Sequence, residues 1–322
     1  MKILIILPNW LGDAIMSTPT IEALALTYPE AEFTFIGSYV AIEALKHHPL
    51  CHEAIVDETK KANSRLFATI KLAKSLSNFD LALTFRKNIY ASLLLRFTHS
   101  AIRIGRKTWF NKLLLTKNIS FVKDRHLVLN YFSFIEDILP ETITAEALKL
   151  HIPKKSFSKP TLGINPGATY GSAKRWYPKE FAKVAQYFSK DFDILIFGGP
   201  TEVEMGEEIA QELQSLGVNN YTNLAGKTSV IELCSHIGGC DIFLTNDSGP
   251  MHIAAAYAVP TVAIFGPTKH TETSQWKNSK GEIVRLDMDC APCMKRSCPL
   301  GHHECMKNIT ADMVVESMKK IV

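Results

Sequence analysis

Residues 2–7 (KILIIL) form an almost unbroken Ile/Leu run, and residues 17–28 (STPTIEALALTY) repeat apolar residues at helical spacing. The chain therefore opens as a strand, a bend and a helix. An apolar run this complete suits a parallel strand covered on both faces, and parallel strands need helical crossovers, which confines the chain to the α/β class. The bend carries Trp10, Gly12 and Asp13. It sets one carboxylate just outside the carboxyl end of a strand, where open α/β sheets keep their ligand sites. A lone Asp near a helix start is also an ordinary helix cap, so Asp13 gains chemical meaning only if other groups converge with it.

The same alternation continues. Strand-like segments at residues 31–36, 53–56 and 80–84 are separated by helical spacing that is clearest over residues 64–76. Periodicity then fails over residues 151–160 (HIPKKSFSKP), where two prolines and three lysines surround serines, a composition that reads as a linker. Beyond it the βα pattern restarts: strands at 161–165, 192–197, 242–245 and 261–265, helices at 178–188, 201–216, 229–237 and 251–257. At 322 residues with 46% hydrophobic content the chain can fill two cores. We expect an amino-terminal domain over 1–155, a second domain over 156–309, and a carboxyl-terminal helix over 310–322 that packs back on the first.

A formal charge of +4 is too mild for a protein that coats nucleic acid, but it fits one that handles an anionic ligand. The surplus is uneven. From Arg86 to Arg125 there are ten Lys or Arg and one acidic residue, Asp124. Pro8, Asn9 and Asp13 interrupt the opening apolar run too early for a secretory signal, and no run approaches the ~20 apolar residues of a membrane span, so a cytoplasmic protein is expected. In that compartment the seven cysteines are expected as thiols.

Four polar clusters in the second half each follow an apolar strand, and parallel strands bring such clusters to one edge. Residues 165–181 (NPGATYGSAKRWYPKEF) offer small residues for close backbone approach, the hydroxyls of Thr169 and Ser172, and the cations Lys174 and Arg175. The segment reads as a diphosphate cradle, yet it lacks the spacing of a Walker loop and of GxGxxG. In residues 198–204 (GGPTEVE), Glu202 is placed to accept ribose hydroxyls or to face a helix dipole. In residues 225–229 (AGKTS), Thr228 and Ser229 offer a helix cap or a nucleobase contact. Residues 243–256 (FLTNDSGPMHIAAA) place Asp247, Ser248 and Gly249 before a small-residue helix whose first amides and dipole suit an anion, with His252 one turn in. Residues 265–268 (FGPT) add a fifth loop. A nucleoside-diphosphate site follows from their sum.

PNWLGDAIMSTP, NPGATYGSAKRWYPKEF, LTNDSGPMHIAAA and FGPT, in this order across essentially the whole chain, resemble the ADP-heptose:lipopolysaccharide heptosyltransferases, a glycosyltransferase family 9 group. The tail CAPCMKRSCPLGHHECM, residues 290–306, is similar to the type II members, which add the second heptose of the inner core. The resemblance implies a GT-B fold, two doubly wound Rossmann-like domains facing a central cleft. It also implies an inverting transfer of heptose from ADP-L-glycero-D-manno-heptose to the first inner-core heptose. Type I, acting on Kdo-lipid A, is the nearer alternative, and a GT-B nucleotide-sugar epimerase the further one.

By the same resemblance Asp13 is the general base, Thr169 and Lys174 contact the donor phosphates, Glu202 the ribose and Thr228 the adenine side, and Asp247, Ser248, Gly249 and His252 form the donor loop. Tyr170 departs from relatives that carry a second hydroxyl there. Trp10, Arg86, Lys87, Arg103 and Arg106 are the expected acceptor-binding residues, the basic stretch meeting the phosphates and acidic sugars of a lipopolysaccharide at the cytoplasmic membrane face. With cations and helix N-termini to offset the charge of leaving ADP, no cofactor is required and ADP-heptose is a substrate. Cys290, Cys293, Cys298 and Cys305 contain one CxxC but uneven second spacing, and are read as thiols ahead of a zinc site.

Overall fold

The computed structural model describes residues 1–76 and 78–322, which divide into two compact units, Met1–His151 and Ile152–Val322. The division falls where the proline- and lysine-rich linker begins.

The first unit is a six-stranded sheet of β1 (Lys2–Ile6), β2 (Glu32–Gly37), β3 (Cys51–Val56), β4 (Leu81–Thr84), β5 (Ile102–Arg106) and β6 (Lys117–Ile119). The strands are parallel in the order β3-β2-β1-β4-β5-β6. The order reverses between β1 and β4, which defines a switch point where loops diverge and leave a crevice. Helices α1 (Leu11–Met16), α2 (Thr18–Thr27), α3 (Tyr39–Leu45), α4 (Arg65–Ser75), α5 (Ile89–Phe97) and α6 (Leu127–Phe132) cover the sheet. Ile3 to Ile6 are buried throughout because β1 sits centrally with helices on both faces, which is why the opening run shows no alternation.

Asp13 is not on a bend. It occupies the first turn of α1, where a carboxylate complements the positive end of the helix dipole. The backbone then breaks at Ser17, whose Oγ donates to the Ala14 carbonyl at 2.7 Å. Pro19, in the first turn of α2, fits there because those amides need no intrahelical acceptor, whereas a continuous helix would drive its ring into the Ile15 carbonyl.

The second unit repeats the plan. Strands β7 (Thr161–Asn165), β8 (Asp193–Ile196), β9 (Tyr221–Asn223), β10 (Ile242–Asn246), β11 (Thr261–Ile264) and β12 (Gly281–Val284) lie parallel in the order β12-β11-β10-β7-β8-β9, with the reversal between β7 and β10. Its helices are α7 (Pro178–Phe188), α8 (Val203–Ser215), α9 (Val230–Gly239), α10 (Gly249–Ala256), α11 (His270–Thr273), α12 (Glu304–Lys307) and α13 (Ala311–Met318). Phe181, Val184, Ala185 and Phe188 bury one face of α7 at helical spacing, and Trp176 packs edge-to-face on Phe181 with centroids 4.9 Å apart.

The carboxyl-terminal helix, expected to return to the first domain, is part of this core. Val314, Val315 and Met318 of α13 join the cluster formed by β7, α7 and their neighbours, and α13 packs on α7 and β12. The Trp176 indole donates to the Ile309 carbonyl at 3.0 Å, fixing the approach to that helix. Among the described residues no helix is long and apolar enough to cross a membrane.

Candidate active site

In the second unit the loops after β7, β10 and β11 meet at the switch point. Lys174 closes a short 3₁₀ turn, Ser172–Lys174. Its Nζ lies 2.5 Å from Asp247 Oδ2 and also donates to the Asp247 carbonyl at 3.3 Å. The same Asp247 oxygen accepts from Thr268 Oγ1 at 2.6 Å. An isolated Asp here would repel a phosphate; bonded to a cation and a hydroxyl, Asp247 instead fixes where the ammonium points. Ser248 begins α10 without a side-chain cap bond; its Oγ lies 3.2 Å from Thr245 Oγ1, and Asn165 Nδ2 lies 3.4 Å away. Gly249 is the first residue of α10, and His252 is buried one turn in.

Two asparagines that the sequence reading passed over hold these loops. Asn246 Nδ2 donates to the Pro166 carbonyl at 2.6 Å while its Oδ1 accepts the Trp176 amide at 3.2 Å. Asn165 Nδ2 reaches the Gly167 carbonyl at 3.2 Å. Both sit at strand ends beside prolines and glycines, a position that could have flagged them.

Glu202 is 7% exposed, and its Oε2 accepts the Gly199 amide at 2.8 Å. A Cβ on Gly167 would lie 2.1 to 2.2 Å from the Glu202 carboxyl atoms, so glycine is needed for the two loops to approach this closely. In the loop before α9, Ser229 is the helix cap: its Oγ accepts from the Glu232 amide at 3.2 Å, and Glu232 Oε2 accepts from the Ser229 amide at 2.8 Å. Thr228, just ahead, is thereby released from capping. Thr169 is exposed in the turn before Lys174.

The cysteine-containing tail braces this loop. The Tyr170 hydroxyl donates to the Met294 carbonyl at 2.9 Å, the Ala173 amide donates to the Arg296 carbonyl at 3.1 Å, and His303 Nε2 lies 2.9 Å from the Ala173 carbonyl. The Tyr170 ring receives the Lys174 ammonium 4.8 Å from its centroid and the Arg296 guanidinium at 5.4 Å. Tyr170 thus positions two cations. None of Cys290, Cys293, Cys298 and Cys305 is in a disulfide. Cys298 Sγ accepts the His303 amide at 3.4 Å, and this with neighbouring amides lowers its thiol below the ordinary value, whereas burial pushes Cys305 up to about 11.

In the first unit Asp13 lies near enough to Tyr131 for its charge to act on the hydroxyl. Burial, then the Asp13 charge, push that hydroxyl well above its ordinary range, and Arg106 opposes the shift. The Arg106 guanidinium lies over the Phe121 ring at 4.2 Å, and Phe121 packs edge-on to Tyr131 at 5.8 Å. Asp13, Arg106 and Tyr131 therefore share one neighbourhood at the carboxyl end of the sheet. Nothing in the apolar segment around Tyr131 announces this.

The other expected acceptor residues divide. Trp10 and Lys87 are exposed, but Arg86 is 6% exposed and paired with Asp57 at 2.5 Å. Its Nε donates to the Leu7 carbonyl at 2.7 Å, and its Nη2 finds no hydrogen-bond partner among the described residues. Burial raises the Asp57 carboxyl, but bonds from Thr59 and Arg86 outweigh it and hold the group below its ordinary value. Arg86 thus anchors the end of β1, immediately before the segment leading to Asp13. Arg103 spends its guanidinium on the Ser100 and Leu114 carbonyls.

A cluster with no expectation attached joins Glu22, His48, His151 and Lys149. Glu22 Oε1 lies 2.7 Å from His151 Nε2 and 3.4 Å from His48 Nε2, and Oε2 lies 2.9 Å from Lys149 Nζ. Burial favours the neutral acid, yet the contacts with His48, His151 and Lys149 bring the Glu22 pKa down to about 2. His48 Nδ1 accepts the Leu50 amide at 3.1 Å, which puts the proton of a neutral ring on Nε2, the atom a metal would need. With the ammonium beside it, this is an ion-pair knot rather than a ligand set.

Two Rossmann-like units, each with polar loops at the carboxyl edge of its sheet, are the architecture of GT-B enzymes, which include glycosyltransferases. The model of glycosyltransferase family 9 (heptosyltransferase) matches residues 69–304, and the chain belongs to that family. It is 41% identical to lipooligosaccharide heptosyltransferase 2 of Campylobacter jejuni, over the whole chain and 98% of that protein. It is 27% identical to lipopolysaccharide heptosyltransferase 2 of Escherichia coli K12 over the whole chain and 99% of that protein. Among solved structures, E. coli ADP-heptose lipopolysaccharide heptosyltransferase II superposes with a TM-score of 0.82 at 26% identity, covering 100% of this chain and 98% of that one.

Proposed function

We propose that the protein is an inverting heptosyltransferase of type II, moving heptose from ADP-L-glycero-D-manno-heptose to the first heptose of the lipopolysaccharide inner core in the cytoplasm. The observation that carries it is the Lys174–Asp247–Thr268 cluster at the second unit's switch point, a cation held by an acid and a hydroxyl beside a helix N-terminus. Full-length likeness to type II enzymes supports the choice of donor and acceptor.

In this proposal the acceptor hydroxyl oxygen attacks the anomeric carbon as the bond to ADP breaks. The hydroxyl proton passes to Asp13, and the charge left on the diphosphate is met by Lys174, the α10 amides and His252, with Thr169 at the phosphates. Glu202 takes the ribose hydroxyls and Thr228 lies toward the base. Trp10, Lys87 and Arg106 meet the acceptor, and Arg86 acts on it through β1. These groups neutralise the leaving charge without routing a step through a metal.

Two measurements test the reading. Mass spectrometry of inner-core lipopolysaccharide made with and without the protein should show loss of the second heptose alone; loss of all heptose would assign type I. ADP release from ADP-heptose should require acceptor, since donor conversion without it would indicate an epimerase. Asp13→Asn should lower turnover by about 10² to 10⁴-fold while ADP binding stays near wild type, and a variant of normal turnover removes Asp13 as base.

A further inference from the structure

The connection between β5 and β6 carries the two most exposed large apolar side chains among the described residues, Trp109 at 91% and Leu113 at 93%. Such side chains in water are a standing cost, and a loose loop would fold them inward. This loop is pinned so that they stay out. Asn111, between them, is fully buried: its Nδ2 donates to the Arg106 carbonyl at 2.8 Å and to Ser92 Oγ at 3.3 Å, and its Oδ1 accepts the Thr108 amide at 2.9 Å. The Leu114 amide donates to the Asn111 carbonyl at 3.0 Å, and Leu115 sinks into the core beneath. With the turn fixed on both sides, residues 109 and 113 are held at its tip.

The surroundings are cationic. Lys107 and Lys112 are exposed within the turn, and exposed Lys123 follows exposed Val122. No acidic residue lies between Arg86 and Lys123 in the sequence. An indole and an isobutyl group in one turn with exposed ammonium side chains is the chemistry of an interfacial anchor: the ring sits at headgroup depth, Leu reaches the acyl boundary, and the lysines meet anionic headgroups. A flat, anion-dense surface satisfies all of these cations at once, whereas a protein partner would need acids matched to each position.

We propose that the Trp109–Leu113 turn, with the exposed Lys107 and Lys112 in the same connection and Lys123 just beyond β6, docks the enzyme on an anionic lipid bilayer. The proposal goes beyond the transfer reaction and stands or falls separately from it, because the test vesicles hold no acceptor. Full-length protein should co-sediment with vesicles of phosphatidylcholine and phosphatidylglycerol and stay in solution with phosphatidylcholine alone. Brominated lipid should quench the fluorescence of the wild type and lose most of that effect in Trp109→Phe. The double change Trp109→Ser with Leu113→Ser should weaken binding about tenfold or more, with an unchanged melting temperature to show that it folds.

Three results would overturn the proposal: no wild-type binding to the anionic vesicles, equal binding by the double variant, or binding that appears only when lipopolysaccharide is added, which makes the turn part of the acceptor site. Self-association by light scattering that the double variant abolishes, without vesicle binding, would assign the tip to a second copy of the chain instead.

Discussion

Gly167 shows how little room the donor loops leave. Because a Cβ there would overlap the Glu202 carboxyl group, Gly167→Ala must push Glu202 off the Gly199 amide. On the proposed role of Glu202, ADP affinity should fall about tenfold, the worth of one hydrogen bond to a charged group, as isothermal titration would read it. The run Asp247-Ser248-Gly249 was legible in the sequence because a strand end, an acid and a small-residue helix start are local features. The partnership of Asp247 with Lys174 and Thr268 was not, since it joins residues 73 and 21 positions away. The pairing of Arg86 stayed hidden for a related reason: in a basic stretch the residue reads as a ligand contact, and its partner, Asp57, stands 29 residues upstream at the start of the crossover from β3 to β4.

At the level of elements, the ends of β1, β3 and β4 are tied by that one buried pair. Asp57 follows β3, Arg86 follows β4, and the Arg86 Nε bond to Leu7 reaches the residue after β1. Asp57→Asn leaves the guanidinium buried without its counter-charge, which should cost about 3 kcal/mol in urea unfolding. Arg86 cannot relax toward solvent from its position, so a variant as stable as wild type would show that the pair is not what holds this edge. Helix α1 escaped the sequence reading because six residues span fewer than two turns, too few for periodicity to register. The β-strands at the sheet edges, β6, β9 and β12, escaped it because they are short and only partly buried.

For the molecule as a whole, the αβ alternation was enough to give two doubly wound units, and the same strand order in each is the outcome. What the alternation did not reveal is how acid sensitivity is distributed. The Glu22 carboxylate is depressed to about 2 in the folded first unit, against an ordinary value near 4.3 in the unfolded chain. Its contribution to stability is therefore complete above about pH 5 and disappears as pH falls toward 2. Urea midpoints measured from pH 6 down to 3 should decline in wild type and decline less in Glu22→Gln, which starts about 1 kcal/mol lower at neutral pH.

The bracing of residues 170–174 by residues 294–303 bears on the thermodynamics of donor capture. A phosphate-binding loop that hangs free must surrender its conformational entropy each time a nucleotide arrives; this one has surrendered it already, during folding, to carbonyls contributed by the far end of the chain.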